Sequence, residues 1–341
     1  MSSPPLRTRL RELVERFAGT RVAVAGDFVL DRFVLGLPKR ISREAPVLIL
    51  KYTREENVLG GGANTVANIA SLGGSPIPAG AVGNDAEGDI LVGLLEAAGV
   101  DTSRLLRVEG YPTPTKTRIL GGSAHSIKQQ VVRIDREGRL SEEESIARAL
   151  RERVGSAAGA APALVLCDYG YGSCRPEWIA LGRKVNAGLS VFVDSRYRLL
   201  DYSGADAATP NEEELERAWA SPIDDDDAAF ERAARHVLSR LDAPALLVTR
   251  GSRGMALLER DAATVSVPVF GTDQVADVTG AGDTVIATFA LARAAGATHR
   301  EAALLSNFAG GVVVMKMGTA TVSPEELREA IDRDRSILGD P

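Results

Sequence analysis

Four short runs rich in apolar and β-branched residues, RVAVAGD at 21–27, ALVLCD at 163–168, LSVFVD at 189–194 and ALLVTRG at 245–251, recur between segments with helical apolar spacing. Strands buried on both faces read as continuous apolar runs, and strands that alternate with helices need crossover connections. The rhythm therefore predicts an α/β fold, a mostly parallel sheet between two helical layers. At 341 residues the chain is long for one domain, yet large α/β domains reach this size, and the reading is one domain over 1–341. In open sheets of this kind ligands bind beyond the carboxyl ends of the strands. Asp27, Asp168 and Asp194 close three of the runs and are expected to face one crevice.

Two stretches, at about 32–56 and 104–135, break the rhythm. TPTKTRIL and IKQQVVRID alternate with the two-residue period of exposed antiparallel strands, so both stretches are read as an inserted small β-sheet lid. Near the N-terminus Leu10, Leu13 and Phe17 share one face of an amphipathic helix. The four-Asp run in ASPIDDDDA, Asp224 to Asp227, reads as a solvated helix cap rather than a metal site, because helix starts favour aspartate.

Charge and composition narrow the partners. A net charge of -6 gives no attraction to phosphate backbones or anionic lipid, so neither nucleic acid nor membrane is an expected partner. Cys167 and Cys174 show no CxxC spacing, and His125, His236 and His299 are scattered, which argues against a disulfide framework or a structural zinc site. No signal-peptide core and no apolar run of ~20 residues is present, and a reducing, cytoplasmic setting is expected.

The segment Asp277-Val278-Thr279-Gly280-Ala281-Gly282-Asp283-Thr284 precedes a helical pattern, VIATFALARAAG. Small residues at a helix start let backbone amides reach an anion, and the helix dipole favours negative charge there. A carboxylate beside that anion would repel it unless it has a task, such as taking the proton of an attacking hydroxyl. On local spacing alone, Asp283 as base and Asp283 as helix cap stand level. Gly60-Gly61-Gly62-Ala63-Asn64 opens a second small-residue helix, where Asn64 either caps the helix or offers a donor and an acceptor to sugar hydroxyls. There is no GxxxxGK[ST] and no H-R-D with D-F-G, which excludes P-loop and protein kinases.

These two segments together, in this order, resemble the two signatures of the ribokinase-like (PfkB) carbohydrate kinases, and the resemblance covers nearly the whole chain. It implies a ribokinase-like three-layer α/β/α sandwich with a lid, and ATP-dependent phosphoryl transfer to a sugar hydroxyl. By resemblance Asp283 is the base and Gly280, Ala281 and Gly282 form the anion hole. Asp31, Gly61, Gly62, Asn64, Lys116, Gln129, Arg133 and Asp168 are the implied acceptor contacts. The nucleotide contacts implied are Asn211 and Glu214 (N-x-x-E), Thr249, Gly251 and Gly254 (T-x-G-x-x-G), and Asn307. Read without the resemblance, the T-x-G-x-x-G segment is a hairpin loop and Asn307 a polar residue in a small-residue helix. The implied cofactors are Mg-ATP, with Glu214 near magnesium, and a monovalent cation such as potassium near Asp277 and the Gly318-Thr319 loop. Relatives often dimerise through the lid, so a homodimer is expected.

Within the family, GDFVLDRFVLG, RISREAPV, GGGANTVANIASLGG, TPTKTRIL, QQVVRIDRE, TPNEEELE, DVTGAGDTVIATFALA and KMGTATVSPEEL are most similar to kinases of the 1-hydroxyl of D-glycero-β-D-manno-heptose 7-phosphate. Arg43, Lys116, Arg118, Lys128 and Arg133, in or beside the lid strands, could meet a phosphate. Two departures put the acceptor in doubt. Cys167-Asp168-Tyr169-Gly170-Tyr171-Gly172 stands for S-D-Y-x-K-G without its lysine, and Asp194-Ser195-Arg196-Tyr197 stands for a D-P-K-G-like segment, where Arg196 could supply the missing cation. The chain stops at Pro341, so the nucleotidyltransferase domain fused to some heptose kinases is expected to be absent. A kinase for another sugar or sugar phosphate, and a non-catalytic sensor on the same fold, are the competing readings.

Overall fold

In the computed structural model, which describes residues 5–122, 128–223, 226–271, 277–316 and 318–335, one strand runs unbroken through both parts of the molecule. This is β1 (Arg21–Ile41), whose first third lies in the main sheet and whose remainder extends into the lid. The other strands are β2 (Leu48–Gly61), β3 (Ser75–Gly83), β4 (Leu105–Val108), β5 (Thr115–Gly121), β6 (Gln129–Arg136), β7 (Ala163–Asp168), β8 (Ser190–Ser195), β9 (Ala207–Ala208), β10 (Ala245–Thr249), β11 (Met255–Glu259) and β12 (Val265–Val267). The main sheet has the order β12-β11-β10-β9-β8-β7-β1-β3-β4, parallel from β4 through β10 and antiparallel at its β11 and β12 edge.

The helices are α1 (Leu6–Glu15), α2 (Gly62–Ser71), α3 (Ala86–Ala97), α4 (Glu144–Gly159), α5 (Glu177–Val185), α6 (Glu212–Trp219), α7 (Asp227–Leu241), α8 (Ala281–Ala294), α9 (His299–Val313) and α10 (Pro324–Arg333). Alternate residues of the strands feed two cores, as the two-residue side-chain period requires. Val22, Val24, Val165 and Leu247 pack with α1, α2, α3, α8, α9 and α10, whereas Ala23, Ala25, Leu164 and Leu246 pack with α4, α5, α6 and α7. This is the three-layer sandwich expected, and Leu10, Leu13 and Phe17 are buried as the N-terminal pattern predicts.

The lid differs in its bounds from the reading at 32–56 and 104–135. β4 pairs with β3 in the main sheet, so only β5 and β6 of the second stretch join β2 and the distal part of β1. Leu105 and Val108 of β4 are buried, and a sheet edge covered by apolar packing belongs to the core and not to a lid. Asp226 caps α7 by accepting the amide of Ala228, while Asp224, Asp225 and His125 lie outside the described residues. Among the described residues no helix is long and apolar enough to cross a membrane.

Candidate active site

Strand order reverses at the β1 and β7 boundary, where the chains leaving the two strands diverge and open a crevice. A cavity of about 800 Å³ lies there, roofed by the lid through Lys116 and Arg118. Its floor is the start of α8, with Gly280, Ala281, Gly282 and Asp283, and its far wall carries Asn211, Glu214, Thr249, Gly251, Gly254 and Asn307. Asp31 and Gly61 complete the lid side. Residues from both signature segments and the T-x-G-x-x-G turn thus converge on one space, although Gly61 and Asp283 lie 222 positions apart.

Asp283 sits in the first turn of α8 and is buried. Its Oδ2 accepts from Asn64 Nδ2 at 2.9 Å and its Oδ1 from the hydroxyl of Tyr169 at 2.5 Å. Burial raises its carboxyl to about 7, against the pull of those two donors and of the Lys116 charge; the carboxylate of Asp31 adds to the rise. An acid that titrates near neutrality, fixed by two donors at the cavity floor, has the properties of a general base. Gly280 precedes it with φ 80°, and Ala281 donates its amide to the carbonyl of Val278 at 3.2 Å. Of the three anion-hole residues implied by resemblance, the amide of Ala281 is committed, whereas those of Gly280 and Gly282 have no hydrogen-bond partner among the described residues.

On the lid side Asp31 Oδ1 is held by Arg118 Nη1 at 2.5 Å. Lys116 and Arg196 line the same cavity and make no ion pair among the described residues. Burial lowers the Lys116 ammonium from its usual value, and the Arg196 charge adds to that, so the two cations face a shared volume. On the far wall Asn211 and Glu214 form a capping box: Asn211 Oδ1 accepts the amide of Glu214 at 2.8 Å, and Glu214 Oε2 accepts that of Asn211 at 2.9 Å. Glu214 and Asp194 are both raised, first by burial, with Glu214 the leading charge acting on Asp194. Asn307, buried inside α9, donates to the carbonyl of Pro268 at 3.0 Å.

Other candidates are placed elsewhere. Gln129 and Arg133 lie on β6, the outer lid strand, and the Arg133 guanidinium is paired with Asp135 at 2.8 Å. Asp168 accepts from Ser195 Oγ (2.9 Å), Arg198 Nη2 (2.9 Å) and the amide of Gly170 (3.1 Å) and does not line the cavity. Gly62 packs on the carbonyl of Asp27. Asp277 accepts amides from Thr279 (2.9 Å) and Gly318 (3.2 Å), tying the two loops below α8 together. The single crevice expected for Asp27, Asp168 and Asp194 holds for Asp194 alone. Asp27 is buried and accepts three amides, from Tyr169, Tyr171 and Ser173. Buried strand-end acids close to a switch point are often needed to hold the loops that leave it, because the amides there have no ladder partner.

Asp194, expected there as a strand-end acid, and Arg118, expected among the lid cations, line the cavity, and so does Tyr169, which was not singled out as a candidate. No local signal marks Tyr169, whose role depends on a residue 114 positions away.

Residues 20–326 match the family described as pfkB family carbohydrate kinase. The bifunctional protein HldE of Gluconacetobacter diazotrophicus is 42% identical over 327 residues, covering 95% of this chain and 66% of that protein. The HldE protein of Pseudomonas aeruginosa is 39% identical over 329 residues, with 95% and 67% covered. The chain thus spans about two thirds of the length of these relatives. Among solved structures, phosphofructokinase-2 from Escherichia coli in complex with potassium superposes with TM-score 0.74 at 21% identity over 92% of this chain and 98% of that one. Arabidopsis thaliana ribokinase complexed with ribose and ATP gives 0.70 at 21% over 93% and 100%. At that identity the likeness is one of fold.

Proposed function

This chain belongs to the pfkB family of carbohydrate kinases, and we propose that it transfers the γ-phosphoryl group of ATP to the 1-hydroxyl of D-glycero-β-D-manno-heptose 7-phosphate. The observation that carries the reading is the meeting, in one cavity, of the buried Asp283 at the head of α8 with Lys116 and Arg196, two cations without an ion pair among the described residues. The base suits a sugar hydroxyl, and the two cations suit an acceptor that already bears a phosphate. The ordered similarity of eight stretches to heptose 7-phosphate kinases supports the same acceptor.

In the proposed step the acceptor hydroxyl gives its proton to Asp283 as its oxygen bonds to the γ-phosphorus. The bond from that phosphorus to the bridging oxygen breaks, and ADP leaves with the electron pair. Charge on the transferring oxygens is met by the amides of Gly280 and Gly282 and by the α8 dipole. Asp31, fixed by Arg118, orients the sugar, while Asn64 holds the Asp283 carboxylate. Magnesium commonly uses one or two carboxylates together with substrate phosphates and water, and Glu214 on the cavity wall fits that modest demand. When bound it would neutralise charge between the phosphates.

A monovalent cation fits below α8. The hydroxyl of Thr319 is buried without a hydrogen-bond partner among the described residues, beside the loop that Asp277 fastens, leaving an oxygen for potassium. Two buried unpaired cysteines, Cys167 and Cys174, suit the reducing, ATP-rich cytoplasm. We also place a second copy of the chain on the lid. Of thirteen large apolar side chains exposed among the described residues, eight fall at 37–52 and 131–134, in or beside the lid strands, with Ile41 at 68% and Tyr52 at 63%.

The deciding experiment is initial-rate ADP release with Mg-ATP over a panel of sugars and sugar 7-, 6- and 5-phosphates, in potassium and in tetramethylammonium buffers. Selective turnover of the heptose 7-phosphate, faster in potassium, is the expected result. Preference for another sugar would remove the acceptor and keep the kinase, whereas ATP binding without turnover of any acceptor would remove the kinase reading.

A further inference from the structure

Asp27 and Asp168 end the main-sheet portions of β1 and β7, and between them they clamp the loop that follows β7. Asp27 Oδ2 accepts the amides of Tyr169 and Tyr171, both at 2.9 Å, and Oδ1 that of Ser173 at 2.8 Å. Asp168 takes the amide of Gly170 while its other bonds fasten it to β8 and Arg198. Five consecutive residues thus carry four amides bonded to two buried carboxylates. The ring of Tyr169 then has one course. It passes beneath the lid, with Lys116 Nζ 5.9 Å from its centroid, and over Gly61, where an added Cβ would stand 3.1 Å from ring atom Cε2. Its hydroxyl ends 2.5 Å from Asp283 Oδ1, opposite the Asn64 amide on Oδ2.

We propose that Tyr169 is a positioning residue for the reaction: its hydroxyl, delivered by the loop that Asp27 clamps, pins one oxygen of the Asp283 carboxylate and keeps that group aimed and ionised as Asn64 pins the other. The proposal rests on Asp283 being the base. Each carboxylate oxygen has two lone-pair directions, so with one donor on each, one direction per oxygen remains for the acceptor hydroxyl. A carboxylate held by a single donor could swing about its Cβ–Cγ bond, and a misaimed base is costly in rate.

Tyr169 acts as a donor and not as a rival acid. Burial first, and then the neighbouring Asp283 charge, push its phenol well above the usual range, so the proton stays on tyrosine. The charged and titratable groups facing Asp283 are Asp31 from β1, Lys116 from β5, Cys167 from β7 and Asp194 from β8. Lys116 is the cation among them, and the neutral donors Asn64 and Tyr169 precede it in holding the carboxyl down.

The test is the Tyr169→Phe variant, which keeps the ring and its packing and removes the hydroxyl. Its kcat/KM for the phosphorylated acceptor should fall about tenfold at pH 6.5, in keeping with loss of a hydrogen bond to an ionised group, and the deficit should shrink by pH 8.5 as the acidic limb moves upward. The KM for ATP should not move. An unshifted acidic limb, or a loss equal at every pH, would overturn the proposal, since a merely structural role lowers the rate without moving the profile. Asp283→Asn, assayed alongside, separates the two levels of inference. Full activity there would sink the base itself, whereas an inactive Asn variant beside an unshifted Tyr169→Phe would sink only the role of Tyr169.

Discussion

Asn64 Nδ2 lies 2.9 Å from Asp283 Oδ2 and 3.3 Å from the carbonyl of Gly280, so the first glycine-rich segment reaches across 219 positions to hold the second. The amide is itself oriented, because Asn64 Oδ1 accepts from Asn68 Nδ2 at 3.1 Å and Asn68 Oδ1 accepts the hydroxyl of Thr284 at 3.0 Å. Asn64→Ala should therefore lower kcat by about 10- to 10²-fold while the KM for ATP stays within about twofold, because the nucleotide wall is untouched. Steady-state kinetics checks this, and an ATP KM that rises with an unchanged kcat would move Asn64 out of the base's support.

Gly280 and Gly282 separate folding from binding within one turn. A Cβ on Gly280 would stand 2.6 Å from both Asn64 Nδ2 and Thr319 Cγ2, at a φ of +80° that side chains disfavour. Gly280→Ala should lose activity and about 1–3 kcal/mol of stability together. At Gly282 nothing lies within 4 Å of the added carbon, so Gly282→Ala should fold with equal or slightly greater stability, by up to ~1 kcal/mol. Its kcat/KM for ATP should still drop, by about tenfold or more, as the methyl intrudes on the transferring phosphate. Thermal melts beside kinetics distinguish the two; an active Gly282→Ala enzyme would place the phosphate elsewhere.

The legible part of this fold is what local patterns control. β7 and the start of β10 fall where apolar runs predict them, and the glycine-rich segments open α2 and α8, because strand burial and helix starts are written in neighbouring residues. The lid was legible as alternation, yet its bounds were not, since β4 joins the main sheet through β3 and only the pairing partner decides that. The same limit hid the site's inner supports. Asp27 and Asp168 look like ligand-facing strand-end acids, and only the parallel pairing of β1 with β7 sets them side by side to hold a loop. Tyr169 gains its meaning from Asp283, which no spacing in the chain relates to it.

Lys116 and Arg196 predict how the acceptor is chosen. Truncating either to alanine should raise the KM for the phosphorylated acceptor by about 10- to 10²-fold, the worth of a charge-assisted hydrogen bond, with kcat nearly unchanged. Turnover of the unphosphorylated sugar, slow in both enzymes, should not change. If the KM for ATP rises instead, the two cations serve the transferring phosphate.

The exposed apolar side chains of the lid predict a concentration-dependent dimer. Tyr52, 63% exposed on β2, is a point where a charge would be harmless to a monomer and costly in an apolar contact. Tyr52→Glu should sediment as a monomer where the wild type sediments as a dimer, with both melting alike at low concentration. A wild-type chain that remains monomeric at high concentration would leave the lid without its proposed occupant.

Asp283 makes two predictions of opposite sign from one carboxyl. Its value in the fold, about 7 against an ordinary 3.8, means that the folded enzyme binds this proton more tightly than the unfolded chain does. Raising the pH from about 4 to 7 therefore costs stability, up to about 4 kcal/mol, and the cost stays constant above that window. Over the same rise in pH the base form appears, so kcat/KM should climb through a midpoint near 7. Asp283→Asn should reverse both effects. Activity should fall by about 10²-fold or more, and the melting temperature relative to wild type should rise between pH 4 and 7 and then level off. Substrate phosphates titrate near this range too and blur the kinetic limb, but the melts contain no substrate. An Asn variant whose relative stability does not change with pH would show that Asp283 titrates at an ordinary carboxylate value, and a kinetic limb near 7 would then belong to the phosphates.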